Sequence, residues 1–183
     1  QYQQMSLETF KNVCANLPAS KIMTLHNYGE PTINKKLPEM IRLAKATNKF
    51  DKLSLTTNLL TQKPQFFCKL FESGLDHMTI SVDSFTPEIA EKVRTRTDVE
   101  KLRQNVIAVV AEYVQRITIA TVASLTNFED IPRTLNILNG IAEKTGRKLH
   151  VSIIEFNSMD IEDLEERKLN DSIINNIYET IRG

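Results

Sequence analysis

Ile22-Met23-Thr24-Leu25 runs directly into His26-Asn27-Tyr28-Gly29-Glu30-Pro31. The first segment predicts a buried strand, and the second a tight turn ahead of a helix. Glycine lets the backbone approach a ligand closely, because no Cβ intervenes. Proline fixes φ and removes a donor. A carboxylate lies between the two. A βα loop of this kind at the mouth of a parallel barrel holds small polar ligands, and barrel enzymes place their chemistry at that end.

Working outward, the same strand–helix beat recurs. Ser6 caps a helix running to about Leu17. Leu37, Met40, Ile41 and Ala44 mark a helix face. Leu53 to Thr57 is a strand ended by Asn58, and Phe66, Phe67, Leu70 and Phe71 mark a helix stopped by Gly74. Met78 to Val82 is a strand. Pro87 opens a short helix and Asp98 a longer one. Ile117 to Val122 and Val151 to Ile154 are strands flanking a helix that Gly146 ends. Alternation of this kind predicts an α/β fold with a parallel sheet and right-handed crossovers. A full eight-stranded barrel takes about 250 residues, so the 183 residues here predict an open sheet or an incomplete barrel. Residues 158–183 read separately, as an acidic stretch followed by an amphipathic helix striped by Ile173, Ile174, Ile177 and Ile181.

The 23 basic and 23 acidic residues cancel, which argues against a broad electrostatic grip on nucleic acid. No apolar run approaches the roughly 20 residues of a membrane span. The start is not a signal peptide. It also lacks Met, from which upstream sequence is expected. Cys14 and Cys68 lie far apart on helical, amphipathic segments and read as reduced thiols of a cytoplasmic protein. Two cysteines cannot hold an iron–sulfur cluster of the four-ligand kind. Dinucleotide, Walker, zincin and serine-hydrolase motifs are absent.

Ligands of parallel α/β domains bind beyond the carboxyl ends of the strands. That rule selects His26 to Glu30, Thr57 and Asn58, Ser81 and Asp83, Ser124 to Asn127, and Glu155 to Asn157. Ser81 and Asp83 are two apart and point the same way, which suits a vicinal diol; the other reading of Asp83 is a cap. Arg94 offers a fork to a carboxylate or lies solvated at the surface. His77 and His150 fall at the opposite, structural end.

These pieces together resemble the radical S-adenosylmethionine (radical SAM) enzymes, over roughly residues 5–157. The look is closest to the branch of the maturases and molybdenum-cofactor cyclases. Met5-Ser6-Leu7-Glu8-Thr9-Phe10 is similar to the helix after the family's cluster loop, and Tyr28-Gly29-Glu30-Pro31 to its Gly-Glu-Pro motif. Ser54 to Asn58 resembles its third strand, with Leu59 where glycine is usual. Ser73 to Asp76 with Ile80 to Ser84 resembles the fourth, and Lys92-Val93-Arg94 with Thr97 to Glu100 the segment after it.

The resemblance implies a partial (βα)6 TIM-type barrel over 1–157 whose first strand is missing or disordered. It implies S-adenosylmethionine and a [4Fe–4S] cluster as cofactors, and reductive cleavage to a 5′-deoxyadenosyl radical that takes hydrogen from a substrate. Gly29, Glu30 and Pro31 would meet the methionine ammonium, largely through backbone carbonyls. Asn58, Ser81 and Asp83 belong to the same cofactor site, with Ser81 and Asp83 near the ribose. Arg94 would pair with the methionine carboxylate, and Val122 and Phe156 would flank the adenine. Glu155 and Asn157 would touch substrate, either a small molecule or a peptide. An electron-donor protein is the implied partner. The family's Cys-x-x-x-Cys-x-x-Cys triplet is not in this sequence. It is expected just ahead of Met5, and without it the fragment alone is expected to be inactive. The alternative is a cluster-less barrel that binds a nucleoside or a partner protein.

Overall fold

A computed structural model describes residues 4–26 and 28–155, together with the single helical residue Asn175. The rest of the acidic stretch and helix expected over 158–183 lies outside the described residues, as do Phe156 and Asn157. In chain order the elements are α1 (Leu7–Asn16), β1 (Ser20–Thr24), α2 (Leu37–Ala46), β2 (Phe50–Thr57), α3 (Pro64–Glu72), β3 (His77–Ser81), α4 (Pro87–Val93), α5 (Val99–Tyr113), β4 (Ile117–Ala123), α6 (Ile131–Thr145) and β5 (Val151–Glu155).

Local chemistry explains the boundaries. Ser6 Oγ accepts from Thr9 N at 3.0 Å and starts α1. Asp98 does the same for α5 through Lys101 N at 2.9 Å. Each satisfies an amide that the first turn leaves without a partner. Gly146 ends α6 with φ +64°, and Gly74 follows α3 with φ +110°. A Cβ on Gly74 would meet Lys45 Cγ at 2.9 Å, so glycine is required there twice over.

The five strands form one parallel sheet in the order β1-β2-β3-β4-β5. Strands in sequential order joined by helices are the arrangement of a β/α barrel. Burial alternates along them. Leu53 and Leu55, Met78 and Ile80, and Ile117 and Ile119 face the helices and fill the core with Ile41, Phe67, Leu70, Val106 and Leu138. Their neighbours in β2 and β3 are half-buried on the open side. β1 departs from the expected buried strand: it is an exposed edge, and Ile22 is 58% accessible. No described strand pairs with its outer side.

His77 starts β3, where burial, His150 and Lys52 together lower its pKa from 6.5. The folded state therefore favours the neutral ring, and the unfolded chain binds more protons below pH 6.5. Stability is expected to fall as pH drops below that value, and to level off below the folded pKa. Urea midpoints at pH 7.5 and 5.0 test this. A His77→Gln variant should lose that part of the pH slope.

Candidate functional site

The ends of β1 and β2 are tied by one further backbone bond and then by a side chain. Leu25 N donates to Ser54 O at 2.8 Å, and Thr56 N donates to His26 Nδ1 at 3.0 Å. His26 is thus an acceptor that prolongs the β1–β2 pairing by one step. After it, Gly29 adopts φ +89°, and Glu30 caps a 3-10 turn over Pro31–Ile33.

The Glu30 carboxylate points inward. Its Oε1 accepts from Thr32 N (3.0 Å), Thr32 Oγ1 (2.5 Å) and Thr57 Oγ1 (2.8 Å), and its Oε2 accepts from Asn58 N (2.8 Å). Thr32 and Thr57 are buried, and Thr32 Oγ1 also meets Thr61 Oγ1. A carboxylate so engaged locks its own loop to β2. The Glu30 and Pro31 carbonyls already accept from Ile33 N (3.4 Å) and Asn34 N (3.1 Å), so what the Gly29–Pro31 loop has left to present is chiefly the backbone at Gly29.

At the next residues Asn58 Oδ1 accepts from Leu60 N at 2.9 Å, and Leu59 has φ +56°. The turn keeps the left-handed conformation that suits glycine, yet its residue is a fully buried leucine. Left-handed backbone costs about 1–2 kcal/mol, whereas losing a buried leucine side chain costs about 2–5 kcal/mol. Leu59→Gly is therefore expected to destabilise by about 1–3 kcal/mol in urea unfolding, despite relieving the backbone. An unchanged midpoint would show that the side chain does not hold the turn.

Beyond β3, Asn58, Ser81, Asp83 and Arg94 line one narrow cleft. Asp83 is buried. Its Oδ2 accepts from Arg94 Nε at 2.5 Å, and its Oδ1 accepts from Val122 N at 3.0 Å. It therefore fastens β3 to β4 and aims Arg94 at the same time. The Arg94 side chain is 41% exposed. Its two terminal nitrogens make no hydrogen bond to the described residues. Val122 has both backbone groups occupied, since its carbonyl accepts from Asn127 Nδ2 at 2.9 Å. Only its side chain is left for a ligand. Glu155 ends β5.

Two residues of this rim play parts that the sequence did not signal. Asn127 Nδ2 also donates to Asp83 O at 3.0 Å, and so bridges the gap where β3 and β4 part. Asp130 is buried and accepts from Ser84 Oγ (2.5 Å), Thr86 Oγ1 (2.7 Å) and Thr134 Oγ1 (3.3 Å). It pins the loop after β3 to the start of α6. Its place just before Ile131-Pro132 suits a helix start, which says nothing of this longer-range role.

On the free edge of β1 lies an open apolar groove of about 680 Å³ that runs from α1 up to Gly29, Glu30 and Pro31. Its walls include Phe10, Met23 and Leu37.

The rim offers groups of the kind S-adenosylmethionine would need: a guanidinium for its carboxylate and a backbone carbonyl for its ammonium. A [4Fe–4S] cluster does not fit the residues present. Cys14 is buried in α1 and Cys68 half-buried in α3, and both are free. Burial pushes both thiols up, helped at Cys68 by Glu112 and Glu72 and opposed at Cys14 by Lys49. Protonated, separated thiols are poor ligands. The described residues hold no group of three or more His, Cys, Asp or Glu placed for a metal.

Comparison with known proteins gives the family. The model of the Radical SAM superfamily matches residues 1–138. A probable GTP 3′,8-cyclase of Methanococcus aeolicus is 34% identical over 137 residues, covering 72% of this chain and 42% of that protein. A GTP 3′,8-cyclase of Rhizobium etli is 26% identical over 167 residues, covering 88% and 45%. The chain thus spans less than half the length of these relatives. Among solved structures, coproporphyrinogen III oxidase of Escherichia coli, a radical SAM enzyme, shares the fold. Its TM-score is 0.59 at 15% identity, over 83% of this chain and 39% of that one. Enzymes of this family use S-adenosylmethionine and a [4Fe–4S] cluster, and on these grounds the chain belongs to the Radical SAM superfamily.

Proposed function

We propose that this chain is the S-adenosylmethionine-binding core of a radical enzyme acting on a small molecule. The observation that carries the reading is the Arg94 fork, held through Nε by buried Asp83 and without a hydrogen bond to the described residues at its other two nitrogens. It stands in one cleft with Ser81 and Asn58, and Glu30 joins Asn58 to the Gly29–Pro31 loop. When bound, S-adenosylmethionine supplies a 5′-deoxyadenosyl radical that abstracts hydrogen from the substrate.

The residues of the chain bind and orient it. Carbonyls of Gly29 to Pro31 accept from the ammonium. Arg94, held by Asp83, takes the carboxylate, Ser81 at the end of β3 meets the ribose, and Val122 packs beside the adenine. Phe156 is the second adenine contact, and Glu155 and Asn157 reach substrate. The thiolates for a cluster come from outside this sequence, on a segment that also adds a strand beside β1 and covers the apolar groove there. An electron-donor protein completes the system. The relatives' names point to GTP as the first substrate to try.

Anaerobic reconstitution of the full-length gene product with iron and sulfide tests the proposal. Calorimetry should show uptake of S-adenosylmethionine, and reduction should release 5′-deoxyadenosine. An iron-loaded protein that takes up none of it would overturn the assignment and favour the cluster-less binding module.

A further inference from the structure

The link between α4 and α5, residues 94–98, is held more firmly than an exposed connection needs. Arg94 N donates to Ala90 O at 2.8 Å and closes α4. Arg94 O accepts from Thr97 Oγ1 at 2.7 Å. Arg96 has φ +65°, a left-handed backbone that is uncommon outside glycine. Its N–H donates to Glu91 Oε2 at 2.8 Å. With Nε on Asp83, Arg94 is thus fixed at its amide, its carbonyl and its guanidinium.

The helix ends do not require this. α4 is already closed by the bond from Arg94 N to Ala90 O, and α5 is opened by the Asp98 cap on Lys101 N. Gly146 shows the simpler solution, since after α6 a glycine takes φ +64°. An arginine in the same conformation leaves strain in the link, and such strain persists only where surrounding bonds over-determine it. The Glu91 carboxylate and the Thr97 hydroxyl supply those bonds. Thr97 also lines the narrow cleft with Asn58, Ser81 and Arg94. Arginine carries much rotamer freedom, so a fork already fixed at its base binds an anion with less entropy lost.

We propose that Glu91 and Thr97 are positioning residues, which hold the Arg94 fork for a ligand carboxylate and so make the cleft select S-adenosylmethionine over a sulfonium nucleoside that lacks this group. Glu91 acts through the Arg96 amide and Thr97 through the Arg94 carbonyl. The assignment rests on the reading above, in which Arg94 takes the methionine carboxylate.

Calorimetric titration of the full-length, iron-loaded protein with S-adenosylmethionine and with its decarboxylated analogue tests the proposal. The parent should favour S-adenosylmethionine by about tenfold or more. Thr97→Val keeps the shape and removes the hydroxyl, and Glu91→Ala removes an acceptor at an exposed position. Each should weaken S-adenosylmethionine by about 3- to 10-fold and leave the analogue within about twofold. Thr97→Ser retains the hydroxyl and should keep the parental preference. In an Arg94→Lys background, Thr97→Val should change S-adenosylmethionine affinity by less than about twofold, because the fork it positions is gone. Parental preference in either Thr97→Val or Glu91→Ala, or equal losses of the two ligands, overturns the proposal; the second result marks a merely structural link. A parent that binds the two ligands equally, or neither, sinks the reading beneath it and this inference as well.

Discussion

Glu30→Ala is expected to lower stability by about 3–5 kcal/mol and to weaken S-adenosylmethionine binding by more than tenfold. Four donors lose their acceptor together: the amides of Thr32 and Asn58 and the hydroxyls of Thr32 and Thr57. Each buried group left unsatisfied costs about 1–3 kcal/mol, and water entering the space recovers part of the sum. For a chain of this size, that corresponds to a fall of about 6–20 °C in Tm. Glu30→Gln separates shape from charge. Its oxygen can keep the Thr32 and Thr57 bonds, but its amide nitrogen then faces the Asn58 N–H. An intermediate loss of about 1–3 kcal/mol is expected. Differential scanning calorimetry and amide exchange at Asn58 read both effects. Parental Tm in Glu30→Ala would mean that the carboxylate does not lock the loop.

The second large effect centres on Asp83. Asp83→Asn keeps an acceptor for Val122 N but turns an amide toward Arg94 Nε, so donor meets donor. The guanidinium loses its anchor. S-adenosylmethionine affinity should fall by about tenfold or more, with about 1–3 kcal/mol of stability lost. Arg94→Lys makes the contrast. Lysine retains the charge but loses the planar fork. Binding should weaken by a similar factor while Tm moves by only a few degrees, because the pair is partly solvated. If Arg94→Lys binds like the parent, the fork is not the carboxylate site.

Much of this architecture was legible along the chain. The caps Ser6 and Asp98 and the stop at Gly146 are local devices, and each stands in the structure where its chemistry demands. Other boundaries were not. β2 begins at Phe50, ahead of the apolar run, because pairing with β1 recruits the polar Asp51 and Lys52. α6 is entered through a 3-10 turn over Phe128–Asp130, whose Asp130 carboxylate answers to Ser84 and Thr86 as well as to Thr134 of its own helix. β1 reads as a buried strand by composition but lies at an edge, since burial depends on neighbours.

The site divides along the same line. Strand-end polar residues announced themselves by following apolar runs, and the glycine–carboxylate–proline turn did so most clearly. Their uses were hidden. Nothing in Tyr28-Gly29-Glu30-Pro31 says that the carboxylate turns inward, because its partners lie up to 28 residues away. Asp83 meets Val122 N across a separation of 39 residues. The order of strands, their caps and the polar rim follow from periodicity and local hydrogen bonding, which neighbours in sequence can express. Whether a rim group holds the scaffold or stays free for a ligand depends on contacts between distant segments, and only folding brings those together.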